Sequence, residues 1–392
     1  MDAAATLPPA RTARAGSDEK LAPLEFLRGV AAFGVFAIHL LIGFAPSHSG
    51  YFAETAPTAA IGGILFAPYD GPALLAFFFL LSGFVLTRSV MLSSGTQAVV
   101  RGLLKRWPRL ALLCLISTVL SWALLRSGLY FHEQAARISG SDWLLHHVVP
   151  GPPEGRTLTL WRAVRQGGYA VFSACEVWLN TSLWTMRIEL LGSMVSIGLA
   201  PVFIAGRGWR AILALTAVLG FIFFTFQPFL AEFVVGTALA RLVHGRRELL
   251  PRWAARIVVA ATLFLLLVNK PVGELVGLDR LGPNVHVAWL PISALMVLSV
   301  LSLPGLSRGP GAVFARWLGF VAFPMYVLHI PMMCSLGSFV LVRANAVMPE
   351  PQAALLAALL TVAATVALAV PLGELDRLWV RCVGRITARA LG

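Results

Sequence analysis

The chain has 392 residues, of which 58% are apolar and only 12% charged, and its mean hydropathy is +0.80. That balance excludes a soluble globular enzyme and a disordered scaffold, and four cysteines are too few for a disulfide-stapled secreted module, so no disulfide is expected. The formal charge of +13 does not point to nucleic acid, because the basic residues are scattered between apolar segments without interleaved exposed aromatics.

Uncharged runs of about 20 residues predict ten membrane spans, at 24–45, 71–91, 108–125, 183–204, 211–226, 228–243, 254–268, 287–303, 319–342 and 351–371. With the N-terminus cytoplasmic, 22 of the 31 Lys and Arg fall on inside segments or at the cytoplasmic edges of spans, seven in outside loops and two (Arg126 and Arg187) elsewhere in or beside the spans. The positive-inside rule demands such a bias. The predicted fold is an all-α polytopic bundle of ten transmembrane helices with both termini cytoplasmic. It divides into a flexible tail (1–23), a membrane domain (24–377) and a basic cytoplasmic tail (378–392). One long outside loop, 127–182, is placed to cover a site from the outer side. No second soluble domain and no internal repeat are expected.

Within lipid the informative positions are polar, since an intramembrane ionisable group is costly without a partner or a wet cavity. His39 lies in the first span, Arg187 and Glu189 in the fourth, Glu232 in the sixth and His329 in the ninth. Arg28 and His39 are eleven residues apart, close to three whole helical turns, so both face one direction with a rise of roughly 16 Å. One helix face thus offers an anion anchor at the membrane edge and a titratable ring inside. Read separately, each is also compatible with an ordinary edge anchor and a structural histidine. Arg106 and Arg109 open the third span, with Pro108 suited to a first helical turn, and two guanidiniums can bind phosphate bidentately. They also serve as plain anchoring charges. Glu189 is placed to approach and orient His39, or else to form a structural ion pair with another helix, with Arg187 on the opposite helical face. Ser82 is read as packing. Tyr326 and His329 are candidates for support of the polar site, and His48, His132, His146, His147, His244 and His286 are assigned nothing.

Together these stretches resemble a known family. The run from Leu24 to Ala32, with Arg28 followed by His39, resembles the opening signature of the acyltransferase family 3 membrane proteins. The stretch 77–84, ending Leu81-Ser82-Gly83-Phe84, is similar to that family's second helix. Arg106 to Arg109 is similar to its Arg-x-x-Arg, and Leu183-Trp184-Thr185 with Glu189 to its fourth-helix motif. Glu232 to Gly236 and Tyr326 to His329 continue the resemblance, which spans nearly the whole membrane part. Glu25 and Phe26 stand where Asp-Gly is commoner, and Leu190 where many members have a second acid. An extracytoplasmic esterase-like domain that some members carry is not expected here.

The resemblance implies transfer of an acyl group, usually acetyl, from cytoplasmic acyl-CoA to a hydroxyl of a carbohydrate or glycolipid in a bacterial inner membrane. Arg28, Arg106 and Arg109 would hold the phosphates, and His39, oriented by Glu189, would be general base. Ser82, Tyr326 and His329 would line the site. No metal and no nucleic-acid partner are expected, and the lipid bilayer is. The alternative is a transporter or flippase of a polysaccharide assembly system whose pathway the same polar residues line; the lack of internal repeats speaks against it.

Overall fold

The computed structural model describes residues 22–49, 71–93, 95–152, 157–206, 208–246, 249–276, 278–303, 305 and 309–391. The expected N-terminal tail lies outside the described residues, apart from its last two positions. Among the described residues there is no strand. Ten longer helices follow in order: α1 (Ala22–Phe44), α2 (Gly71–Ser93), α3 (Thr96–Arg126), α4 (Trp184–Ala205), α5 (Trp209–Phe226), α6 (Leu230–Val243), α7 (Arg252–Val276), α8 (Leu290–Ser302), α9 (Gly309–Met332) and α10 (Glu350–Ala390). The protein is a polytopic helical membrane bundle.

Eight helical stretches are long and apolar enough to cross a membrane, and each coincides with an expected span. The sixth expected span is α6, with 14 residues, which at the helical rise is about 21 Å and short of a bilayer's hydrocarbon core. The seventh lies within α7, which is not one of the eight. Ten crossings are therefore more than these criteria support. Two helix ends also differ from expectation. α3 begins at Thr96, so Pro108 is interior rather than in a first turn. The basic stretch after 377 continues α10 to Ala390, and Trp379 Nε1 donates to the Pro108 carbonyl at 2.7 Å.

Two helix pairs pack closely enough to need glycine. A Cβ on Gly83 of α2 would meet the Phe233 carbonyl oxygen at 2.5 Å, and one on Gly236 of α6 would meet the Leu80 oxygen at 2.1 Å. A Cβ on Gly29 of α1 would stand 2.3 Å from Leu318 of α9. Small residues let backbones approach where lipid supplies no hydrophobic drive between helices. The Ser82-Gly83 step is thus split by face: Gly83 is packed, and Ser82 lines a cavity.

The long connection between α3 and α4 is largely helical. Its first half is fastened to the end of α1 by Ser139 Oγ and Ser141 Oγ, which donate to the Gly43 and Ile42 carbonyls at 2.8 and 2.7 Å. Its second half descends beside α3. Trp122 Nε1 donates to Leu158 O (3.4 Å), Thr118 Oγ1 to Ala163 O (2.9 Å) and Trp107 Nε1 to Gly168 O (3.1 Å). Val171 and Phe172 then pack with Leu110, Met186 and Leu190. From Arg126 to Cys114, beside which the tip lies, is roughly 18 Å of helical rise. The segment 157–176 is re-entrant, where a plain outer loop was expected. Its backbone is helical from Leu160 to Ala174, which satisfies its own amides, and one face is buried against α3 and α4.

Candidate active site

α1 carries Arg28 and His39 on one face, as their spacing requires. Around Arg28 a cavity of about 1000 Å³ is walled by α1, α2, α3, α4, α9 and α10. Arg28, Arg106 and Arg109 line it, as do Ser82, Glu189 and Tyr326. So do Arg316 of α9 and Arg377 and Arg381 of α10, which the sequence reading counted only as edge charges. The i,i+4 spacing of Arg377 and Arg381, which puts both on one helix face, was the signal available for them.

The cavity's charges are only partly paired. Arg28 bonds Glu25 and donates to the Gly319 carbonyl at 2.9 Å. Arg106 Nη2 donates to Glu189 Oε1 at 2.6 Å, and Arg377 Nη1 to Glu374 Oε1 at 2.9 Å. Among the described residues no carboxylate lies within ion-pair distance of Arg109, Arg316 or Arg381. Six guanidiniums face four carboxylates here, and an unneutralised set of this kind attracts an anionic ligand whose carboxylate or phosphate oxygens can be bound bidentately.

Glu189 is committed to Arg106, and no hydrogen bond joins it to His39. Both members of the pair are under a tenth exposed. Arg187, two residues away, is exposed, in line with its expected opposite face.

The partner of His39 is His329. Their rings stack, with centroids 5.0 Å apart, and His39 Nδ1 lies 2.9 Å from His329 Nε2. His329 Nδ1 in turn bonds the Tyr326 carbonyl oxygen one helical turn back. A carbonyl only accepts, so His329 Nδ1 carries the proton and, in a neutral ring, its Nε2 is the acceptor. His39 Nδ1 must then donate, which leaves His39 Nε2 with its lone pair unprotonated. Trp143, from the connection between α3 and α4, stacks on His39 at 5.1 Å and 9°. Phe36 packs on His329 at 5.4 Å. The connection thus covers one face of His39, which stays partly exposed, whereas His329 is fully buried.

His39 is not on the cavity wall. The cavity ends at Tyr326, whose ring is 5.5 Å from that of His329 and whose hydroxyl donates to the Ser182 carbonyl at 2.7 Å and lies 2.7 Å from Thr185 Oγ1. Tyr326 thus lines the cationic chamber and touches His329, which in turn bonds His39.

A second buried pair was missed at one of its two members. Glu232, expected as an intramembrane acid, bonds His286, and both are fully buried, with Phe229 stacked on His286 at 4.1 Å. His286 immediately precedes the expected span 287–303, so its burial opposite Glu232 followed from a span that starts earlier, at Asn284. Among the described residues no three His, Cys, Asp or Glu side chains converge as a metal site would require.

A membrane-embedded bundle holding a cationic chamber linked through Tyr326 and His329 to a base-competent imidazole has the parts of a group-transfer catalyst. A family model described as an acyltransferase domain matches residues 22–374. The chain belongs to that family, the acyltransferase family 3 membrane proteins. No curated protein and no solved structure matches it.

Proposed function

We propose that this acyltransferase moves an acyl group, acetyl in the simplest case, from cytoplasmic acyl-CoA to a hydroxyl of a carbohydrate or glycolipid at a bacterial inner membrane. The observation that carries the reading is the His39–His329–Tyr326 chain, which holds His39 Nε2 unprotonated beside a chamber rich in unpaired guanidinium groups. The Arg-rich end of the bundle faces the cytoplasm. There Arg28, Arg106, Arg109 and the cations of α9 and α10 hold the donor's phosphates, while its acyl end passes Tyr326 to reach His39.

His39 Nε2 takes the proton of the acceptor hydroxyl as that oxygen attacks the acyl carbonyl. The new ester C–O bond forms, the C–S bond breaks, and the departing thiolate recovers the proton from the imidazolium. His329 fixes the tautomer and ring plane, the part first expected of Glu189. Glu189 instead holds the Arg106 guanidinium at the chamber wall.

His39→Ala is expected to abolish transfer, assayed as acetyl ester on extracted cell-surface glycans by mass spectrometry, with the protein still present in the membrane fraction. Wild-type product from that variant would remove the base from the scheme.

A further inference from the structure

A smaller cavity of about 180 Å³ adjoins the large one, and Arg106 and Arg109 line both. It lies at the Arg-rich end: Ala98, near the start of α3, and Val383, in the last turns of α10, are among its walls. Val90, Ile197 and Val380 complete an apolar lining. Ser89 and Ser93 supply hydroxyls at its exposed rim, and Lys105 supplies a further cation.

Resting on the donor assignment above, we propose that this annex binds the planar nucleobase of the donor. Three features select that group. The volume is a fraction of that of a whole small-molecule site, so the annex takes one part of a larger ligand. Its position is at the end of the molecule away from His39, so that part is not the acyl group. Its walls combine apolar side chains with cationic heads, which suits a flat π system with a polar edge: Arg and Lys attract aromatic faces, and guanidinium planes stack on bases. A second phosphate would gain nothing from the valine and isoleucine walls, and a long acyl chain would meet a row of cations. The phosphates then span the shared Arg106 and Arg109, with the base behind them and the pantetheine arm running toward Tyr326.

Gly102 and Val383 provide the test. A Cβ on Gly102 would meet Ile197 Cγ2 at 3.3 Å, a tight contact in the annex wall, so Gly102→Ala pushes Ile197 into the annex from the α3 side, and Val383→Trp fills it from α10. Full-length protein in nanodiscs is loaded with labelled acetyl-CoA and competed with CoA or with 4′-phosphopantetheine, which lacks the adenosine and two of the three phosphates of CoA. In the wild type CoA should compete at least tenfold better. In each filled variant that gap should shrink several-fold, through weaker CoA alone, since the phosphates are still held by Arg106 and Arg109. Unchanged phosphopantetheine competition reports that the variant is folded and the phosphate site intact. A wild type that does not distinguish the two competitors, or variants that keep the distinction or weaken both alike, would overturn the annex and leave the donor assignment standing. A wild type that binds no acetyl-CoA overturns the donor assignment and the annex with it.

Discussion

Arg106 and Glu189 are an ion pair with 7% and 5% of their surface exposed, and Arg106 Nε and Glu189 Oε2 have no further partner among the described residues. Removing one member leaves a buried charge alone, which costs about 3–5 kcal/mol, whereas replacing both with apolar groups of similar volume is often neutral. Arg106→Met and Glu189→Leu should therefore each lower the thermal unfolding midpoint in detergent, and the double variant should recover most of the loss. It should not recover acetyl-CoA binding, because the guanidinium is gone; restored stability together with restored binding would place Arg106 outside the donor site. The pairing itself was beyond the reach of the sequence. Helical spacing fixes which face a side chain takes and how deep it lies, and it did so for Arg28, His39 and the Arg187/Glu189 opposition. It does not say which helix stands across the interior. Glu189 therefore looked toward His39 on paper and meets Arg106 in space, and the orienting group of His39 is a second histidine 290 positions away. The same blindness hid the partner of His286, which is Glu232.

At the scale of elements, apolar length was enough to locate helices but not their polar extensions. α3 runs twelve residues ahead of its expected start because Arg101, Lys105 and Arg106 lie on the helix, some of them turned into the cavities. The re-entrant segment 157–176 escaped for a related reason: it is short and carries Arg162 and Arg165, charges that read as solvent-facing. Arg165 is in fact bonded to Glu176 on the returning limb, a match visible only once the chain has folded back. Its tip rests on Gly167, where a Cβ would stand 2.5 Å from Leu115 Cα and 2.6 Å from the Cys114 carbonyl oxygen, both backbone atoms that cannot move aside cheaply. Gly168, next in sequence, has open space at the same point. Gly167→Ala should lift the segment off α3 and Gly168→Ala should not. With Cys114 as the sole remaining cysteine, reaction with a small thiol reagent should rise several-fold in the first variant and stay at the wild-type rate in the second. Equal rates in all three would mean that the segment does not shield α3.

For the whole molecule the functional reading depends on which way the bundle sits in the membrane. The sequence gives a charge asymmetry of 22 basic residues against seven in the expected loops. The fold brings six of the 22, on α1, α3, α9 and α10, around one cavity. A cytoplasmic donor needs the mouth of that cavity inside, because anionic CoA does not cross the bilayer. Cys382 reports on the orientation: it is exposed, near the end of α10, while Cys114 and Cys334 are buried. After Cys175→Ser, a membrane-impermeant maleimide applied to intact cells should leave the protein unlabelled, and the same reagent on inverted vesicles should label it at Cys382. Labelling in intact cells would put the guanidinium chamber on the side without acyl-CoA. The histidine chain could then still act as a base, but its donor would have to be an anionic acyl carrier supplied from outside.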